Sequence, residues 1–119
     1  MIGTDIIEVS RIEEAIKRPG FTERVFTAAE WEYIQSKGRP AQSAAGIFCA
    51  KEAISKALGT GISNGIRLLD IEITHERSGK PAAILHGAAK QLFESLGYSM
   101  IELSISHSKE YAVALCMFR

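Results

Sequence analysis

From Pro40 to Leu58 the sequence is alanine-rich with few breakers, and Gly59-Thr60-Gly61 follows at once. Proline suits a first helical turn and glycine a position just past the last, so the pattern predicts one helix of about 18 residues, the longest in the chain. Other start signals precede it. Thr27-Ala28-Ala29-Glu30 has the capping-box spacing and predicts a helix ending near Gly38, and Ser10 with Glu13 predicts another that stops before Pro19-Gly20. Residues 1–7 read as a short strand.

After the long helix the period changes. Leu69, Ile71 and Ile73 alternate with Asp70, Glu72 and Thr74, as in a strand with one buried face. Gly79-Lys80-Pro81 reads as a turn, Ala82 to Leu85 as a short strand, residues 87–96 as a helix stopped by Gly97, and Met100–Ser106 and Tyr111–Phe118 as a final strand pair. Hairpins and segregated helices make the class α+β, an antiparallel sheet with helices packed on one side. Tyr111 to Phe118 is apolar at nearly every position, so that strand is expected to be buried on both faces, by helices or by another subunit.

A chain of 119 residues is the size of one domain, expected to span 1–119. Fourteen Lys+Arg balance fourteen Asp+Glu, which removes the basic footprint of a general nucleic-acid binder. No apolar run approaches the ~20 residues of a membrane span, and the N-terminus carries acids where a signal peptide would be basic, so a cytoplasmic location is expected. Cys49 and Cys116 have no metal-ligand or disulfide spacing and read as small core residues.

Asp5 interrupts an apolar strand, where a carboxylate must be paired, bind a cation or sit at a solvent-exposed strand end. On the long helix Glu52 and Lys56 share a face, about 40° and about 6 Å apart, whereas Lys51 points about 100° away from Glu52. An i,i+4 surface ion pair would have this spacing too, but Ala and Ile surround these residues in a helix that reads as buried. His107 ends a strand beside a turn, a place for a hydrogen-bond donor to a phosphate. A serine-hydrolase reading of Ser106-His107-Ser108 fails because adjacent strand residues face apart and no glycine-flanked elbow is present. His75 and His86 read as surface residues. Two oxygen ligands, Asp5 and Glu52, could hold Mg²⁺ bridging substrate phosphates, with Lys56 neutralising a phosphate oxygen.

Gly3-Thr4-Asp5-Ile6-Ile7-Glu8 with Arg11, then Arg24 and Phe26, Phe48 through Lys56 with its Lys-Glu-Ala-x-x-x-Lys core, Gly59-Thr60-Gly61, Gly79-Lys80-Pro81 and Ser106-His107-Ser108 occur in this order over essentially the whole chain. Together they resemble the holo-[acyl-carrier-protein] synthases, the short bacterial 4′-phosphopantetheinyl transferases. The resemblance implies that fold, and transfer of 4′-phosphopantetheine from coenzyme A to a serine of apo acyl carrier protein, leaving adenosine 3′,5′-bisphosphate and supporting fatty acid biosynthesis. It implies Asp5 and Glu52 as Mg²⁺ ligands, with water in the place a third carboxylate takes in fused relatives, here Ile7. One of the two carboxylates would orient the water that takes the serine proton. Lys56, Gly59, Gly61, Pro81, Ser106, His107 and Ser108 are implied contacts to coenzyme A. The family often has arginine where this chain has Ile47, so Lys37 or Arg39 is expected to take the nucleotide's 3′-phosphate. The resemblance also implies a homotrimer with sites between subunits, metal ligands from one chain and Ser106-His107-Ser108 from its neighbour. Arg11 and Arg18, placed with Ala15 on one face of the first helix, would meet the acidic carrier protein. The rivals are another metal-dependent phosphotransferase or phosphohydrolase, and a non-catalytic carrier- or nucleotide-binding module.

Overall fold

The structure, a computed structural model, describes residues 1–62 and 65–119. Strand β1 (Ile2–Glu8) runs directly into helix α1 (Val9–Ile16), followed by the short α2 (Phe21–Val25), α3 (Ala28–Ser36) and the long α4 (Pro40–Ala57). A 3₁₀ turn (Leu68–Asp70) leads into β2 (Ile71–His75), β3 (Pro81–Leu85), α5 (Gly87–Ser95), β4 (Ile101–His107) and β5 (Tyr111–Phe118).

Helix α4 has the expected bounds: proline stands in its first turn, and Gly59 leaves it with φ +86°. Its Ala44, Ala45, Ile47, Cys49, Ala50, Ala53, Ile54 and Ala57 are buried. Small side chains let it lie close on the sheet, and Gly3 of β1 is where the approach is tightest. A Cβ on Gly3 would collide with the carbonyl oxygen of Ala53 and come within 2.9 Å of Ala57 N. At the other end of the helix, a Cβ on Gly46 would stand 3.0 Å from Ile105 Cγ2 and 3.6 Å from His107 Cδ2. The helix therefore crosses the sheet from β4 near its start to β1 near its end.

The expected α+β class holds, but the strands form two sheets. One is antiparallel with order β1-β5-β4, and β2-β3 is a separate hairpin. Register in the first sheet aligns Asp5 with Ala114 and Ile105, and Ile7 with Ala112 and His107. Burial along β5 alternates: Ala112, Ala114, Cys116 and Phe118 are inside, whereas Tyr111, Val113, Leu115 and Met117 remain 39–46% exposed. Helices thus cover only one face of the strand expected to be buried on both. Beside the open side chains of β5 lie the exposed Ile2 and Ile6 of β1.

Other departures have local causes. Ser10 does not cap α1; the helix begins at Val9, and the capping residue Glu8 makes no side-chain cap bond. The Val9 N–H donates 2.8 Å to the Glu110 carbonyl oxygen beyond the strand pair, so the sheet itself holds the helix start. The short α2 follows Gly20, at φ +82°, and had no periodic signal long enough to read. Leu69 lies in the 3₁₀ turn rather than in β2, because Asp70 bonds back to the Arg67 N–H at 3.1 Å and curls the backbone. The Thr27–Glu30 capping box forms as expected, with Glu30 N–H to Thr27 Oγ1 at 3.1 Å and Thr27 N–H to Glu30 Oε1 at 2.8 Å.

Candidate active site

Cys49, Glu52 and Lys56 stand at i, i+3 and i+7, on one face of α4. Because Gly3 lets β1 lie against this helix, Asp5, two residues on, faces the same group. Lys56 Nζ donates to Asp5 Oδ1 at 2.9 Å and to the Thr4 carbonyl oxygen at 3.2 Å. The Cys49 thiol lies 3.4 Å from Asp5 Oδ2, with the Ala112 carbonyl oxygen an alternative acceptor at 3.5 Å. Asp5 is thus paired, and with its side chain 16% exposed it does not stand at a solvent-exposed strand end. Glu52 and Lys56 share a face as expected, but Lys56 pairs with Asp5 instead, and among the described residues Glu52 has no ion-pair partner within 4 Å.

The electrostatics follow from that crowding. Burial, then the negative charge of Asp5, holds the Glu52 carboxyl above its ordinary range, while Lys56 pulls it partly back. The Asp5 hydrogen bond raises the proton affinity of the Lys56 ammonium. Burial and Asp5 push the Cys49 thiol up to about 12, so it is a donor and not a thiolate at neutral pH. Two carboxylates facing one monovalent cation leave excess negative charge, and their oxygen donors match a hard divalent cation. Among the described residues no group of three or more His, Cys, Asp or Glu side chains could hold a metal. Asp5 and Glu52 are the residues that could hold such a cation.

His107 belongs to another pocket, about 120 Å³ in volume, whose lining includes Tyr33, Ile47, His75, Gly79 and Pro81 but not Asp5, Glu52 or Lys56. Its Nδ1 lies 3.0 Å from Gln42 Oε1. Counting two strand spacings and two residues of rise, Asp5 and His107 stand about 12 Å apart at Cα. Of the serines beside it, Ser106 is exposed and Ser108 Oγ accepts the Tyr111 N–H at 3.3 Å inside the turn. Gly59 and Gly61 have φ of +86° and +61° with open space around them, so conformation rather than packing calls for glycine. Lys37 does not line this pocket, but its Nζ sits 4.7 Å over the ring of Tyr33, which does, whereas Arg39 lines a different groove with Trp31 and Pro40.

Helix α1 ends at Ile16, so Arg18 lies in the turn beyond it, and Ala15 is buried rather than on an exposed face between the arginines. Arg11 and Arg18 nevertheless line one groove of about 370 Å³ with Ile7, Ile12, Phe21 and Phe48.

Three features escaped the sequence reading. His75 is not a plain surface residue: its ring stacks on Tyr33 with centroids 3.9 Å apart, and burial, then Lys37, lowers its proton affinity. Cys49 is buried as expected but also touches Asp5. Lys51 makes a fully buried ion pair with Glu30 at 2.7 Å. A lysine pointing away from Glu52, and a glutamate already used in a capping box, were its only signals.

A family model described as the 4′-phosphopantetheinyl transferase superfamily matches residues 1–116. A holo-[acyl-carrier-protein] synthase of Caldanaerobacter subterraneus subsp. tengcongensis is 47% identical over 117 residues, covering 98% of this chain and 91% of that one. The crystal structure of Helicobacter pylori holo-[acyl-carrier-protein] synthase in complex with coenzyme A aligns with TM-score 0.88 at 34% identity, over 100% of each chain. That of a Bacillus anthracis holo-(acyl-carrier-protein) synthase, in complex with CoA (3′,5′-ADP), aligns with TM-score 0.82 at 42% identity, over 98% of this chain and 93% of the other. The family-model match over residues 1–116, together with relatives alike over nearly the whole length, shows that the chain belongs to the 4′-phosphopantetheinyl transferase superfamily.

Proposed function

We propose that the chain is a Mg²⁺-dependent holo-[acyl-carrier-protein] synthase, acting as one domain over residues 1–119 in the cytoplasm and supporting fatty acid biosynthesis. It would transfer 4′-phosphopantetheine from coenzyme A to a serine hydroxyl of apo acyl carrier protein. The observation that carries the reading is the convergence of Asp5, Glu52 and Lys56 at the positions of the motif, in a chain 47% identical to a holo-[acyl-carrier-protein] synthase.

Asp5 and Glu52 would hold Mg²⁺, whose chemistry there would be Lewis-acid neutralisation of the coenzyme A pyrophosphate. Lys56, half exposed on a flexible stem, exchanges Asp5 for a phosphate oxygen and stabilises charge on the leaving bisphosphate. Asp5 or Glu52 orients the water that receives the serine proton. The serine oxygen then forms its bond to the pantetheine-bearing phosphorus as the pyrophosphate P–O bond breaks, releasing adenosine 3′,5′-bisphosphate. Gly59, Gly61, Pro81, Ser106, His107 and Ser108 would hold coenzyme A. Lys37 would take the 3′-phosphate, supported by its position over Tyr33.

The chain would work as a homotrimer. Two observations support this: the side chains left open on β5, and a His107 pocket that excludes the metal ligands. Arg11 and Arg18 would receive the acidic carrier protein.

Incubating apo carrier protein with coenzyme A and Mg²⁺ should raise its intact mass by one phosphopantetheine. Product formed without carrier protein would favour a phosphohydrolase, and coenzyme A binding without a mass change would favour a binding module. Sedimentation should give a trimer, and subunit exchange between inactive Asp5→Ala and His107→Ala proteins should restore activity. No complementation after verified exchange would place the whole site in one chain.

A further inference from the structure

Asp5 is gripped at both oxygens, but the two grips differ in kind. Lys56 holds Oδ1 from a side chain 54% exposed, and in the proposed reaction it leaves for a phosphate. Cys49 faces Oδ2 at 3.4 Å from a side chain that is fully buried in the middle of α4, three residues before Glu52. A carboxylate that must trade a lysine for a cation keeps its plane only if a second contact stays in place. Among the described residues the thiol is the side chain placed to provide that contact.

Resting on the metal reading above, we infer that Cys49 is a positioning residue for Asp5: its S–H donates to Oδ2 and holds the carboxylate with Oδ1 presented to the divalent cation. The sulfur itself is no ligand, since it does not join Asp5 and Glu52 in a three-group cluster and a hard cation prefers oxygen. The Ala112 carbonyl oxygen, at 3.5 Å, competes for the same proton when Asp5 is otherwise satisfied, and it keeps the thiol turned toward β1 and β5. Hydrogen-bond partners of this kind orient a metal's ligands without touching the metal.

The test is a Mn²⁺ titration of the full chain, without coenzyme A or carrier protein, followed by electron paramagnetic resonance of the free ion. Cys49→Ala should bind Mn²⁺ about tenfold more weakly, the low end for loss of such a partner. Cys49→Ser, which keeps a donor, should stay within about threefold of wild type because O–H to carboxylate bonds are strong. In turnover assays Cys49→Ala should raise the Mg²⁺ concentration needed for half-maximal rate and recover its kcat at saturating Mg²⁺. Melting curves check that both variants are folded. Equal Mn²⁺ affinity in Cys49→Ala and wild type overturns the inference, as does an equal loss in Cys49→Ser, which would mean that packing and not donation matters. A wild-type protein that takes up no Mn²⁺ instead overturns the metal reading itself and carries this inference down with it.

Discussion

Lys51 and Lys56 leave the same helix five residues apart, and each meets a carboxylate from another element, yet the two pairs are opposites. The Lys51–Glu30 pair is completely dry, both side chains being 0% exposed. All three ammonium protons are used, on Glu30 Oε1 at 2.7 Å and on the carbonyl oxygens of Val25 at 2.8 Å and Leu68 at 2.9 Å. Glu30 is equally full, accepting from Thr27 N–H with one oxygen and from Ile73 N–H, at 2.7 Å, with the other. Burial lowers the proton affinity of Lys51, and Glu30 works against that. One pair therefore joins α2, α3, the 3₁₀ turn and β2 to α4. The Lys56–Asp5 pair is wet on the lysine side and only partly covered on the other, so its partners can be exchanged. A saturated buried pair fixes how the helix is rotated, and the open pair stands on the face so fixed. Glu52 is the next residue after Lys51, so its direction follows from that rotation.

The largest contrast should appear in stability. Lys51→Met or Glu30→Gln strands its partner in the interior and should cost about 3–5 kcal/mol, lowering Tm by more than about 10 °C in thermal unfolding. Lys56→Ala should leave Tm nearly unchanged, as is usual for a largely exposed lysine. Similar melting of the Lys51 and Lys56 variants would erase the distinction.

Activity should show the reverse order. Asp5→Ala and Glu52→Ala should each lose about 100-fold or more in turnover while staying folded, because each removes one of two proposed oxygen ligands. For Lys56→Ala the fall should be in kcat rather than in KM for coenzyme A, as expected for charge stabilised in the transition state. Carrier-protein mass formed per minute at saturating substrate is the measurement, and near-normal turnover in any of the three returns that residue to a structural role.

A smaller effect is expected away from both pairs. Reversing Arg11 and Arg18 to Glu should raise KM for the acidic carrier about tenfold at low salt and less at high salt, with coenzyme A affinity unaltered. A salt series with wild-type kinetics would remove this groove from the docking surface.

The smallest effect is the pH dependence of the open pair. The Glu52 carboxyl is raised from 4.5 by burial and by Asp5, so between 4.5 and its raised value the folded chain binds more protons than the unfolded one. Stability attributable to Glu52 should therefore fall as pH rises through that window. Glu52→Gln should abolish that fall in denaturant titrations at stepped pH, and an unchanged profile would mean that Glu52 is not crowded by Asp5.

Much of this was readable from residue order. The ends of α4 were legible because proline and glycine act locally, and the Thr27–Glu30 box because its bonds span only three residues. The Ser10 box was a false start for the opposite reason: the Val9 N–H found its acceptor at Glu110, a contact no local pattern contains. The approach of α4 requires glycine at position 3, a long-range contact that no local pattern marks. Glu52 and Lys56 were legible as one helical face, since 3.6-residue periodicity places them together.

What the sequence determined by itself was therefore the set of elements and the chemistry each could offer: strand alternation, caps, and carboxylate and lysine at a helical spacing. Tertiary structure decided which of those groups meet. Asp5 takes Lys56 and Cys49 across more than forty residues, Lys51 closes on Glu30, and His107 turns to Gln42 at a separate pocket. The physical reason is range, because hydrogen-bonding propensity and periodicity act over a few residues, whereas ion pairs and burial depend on which surfaces the packed backbone brings within 4 Å.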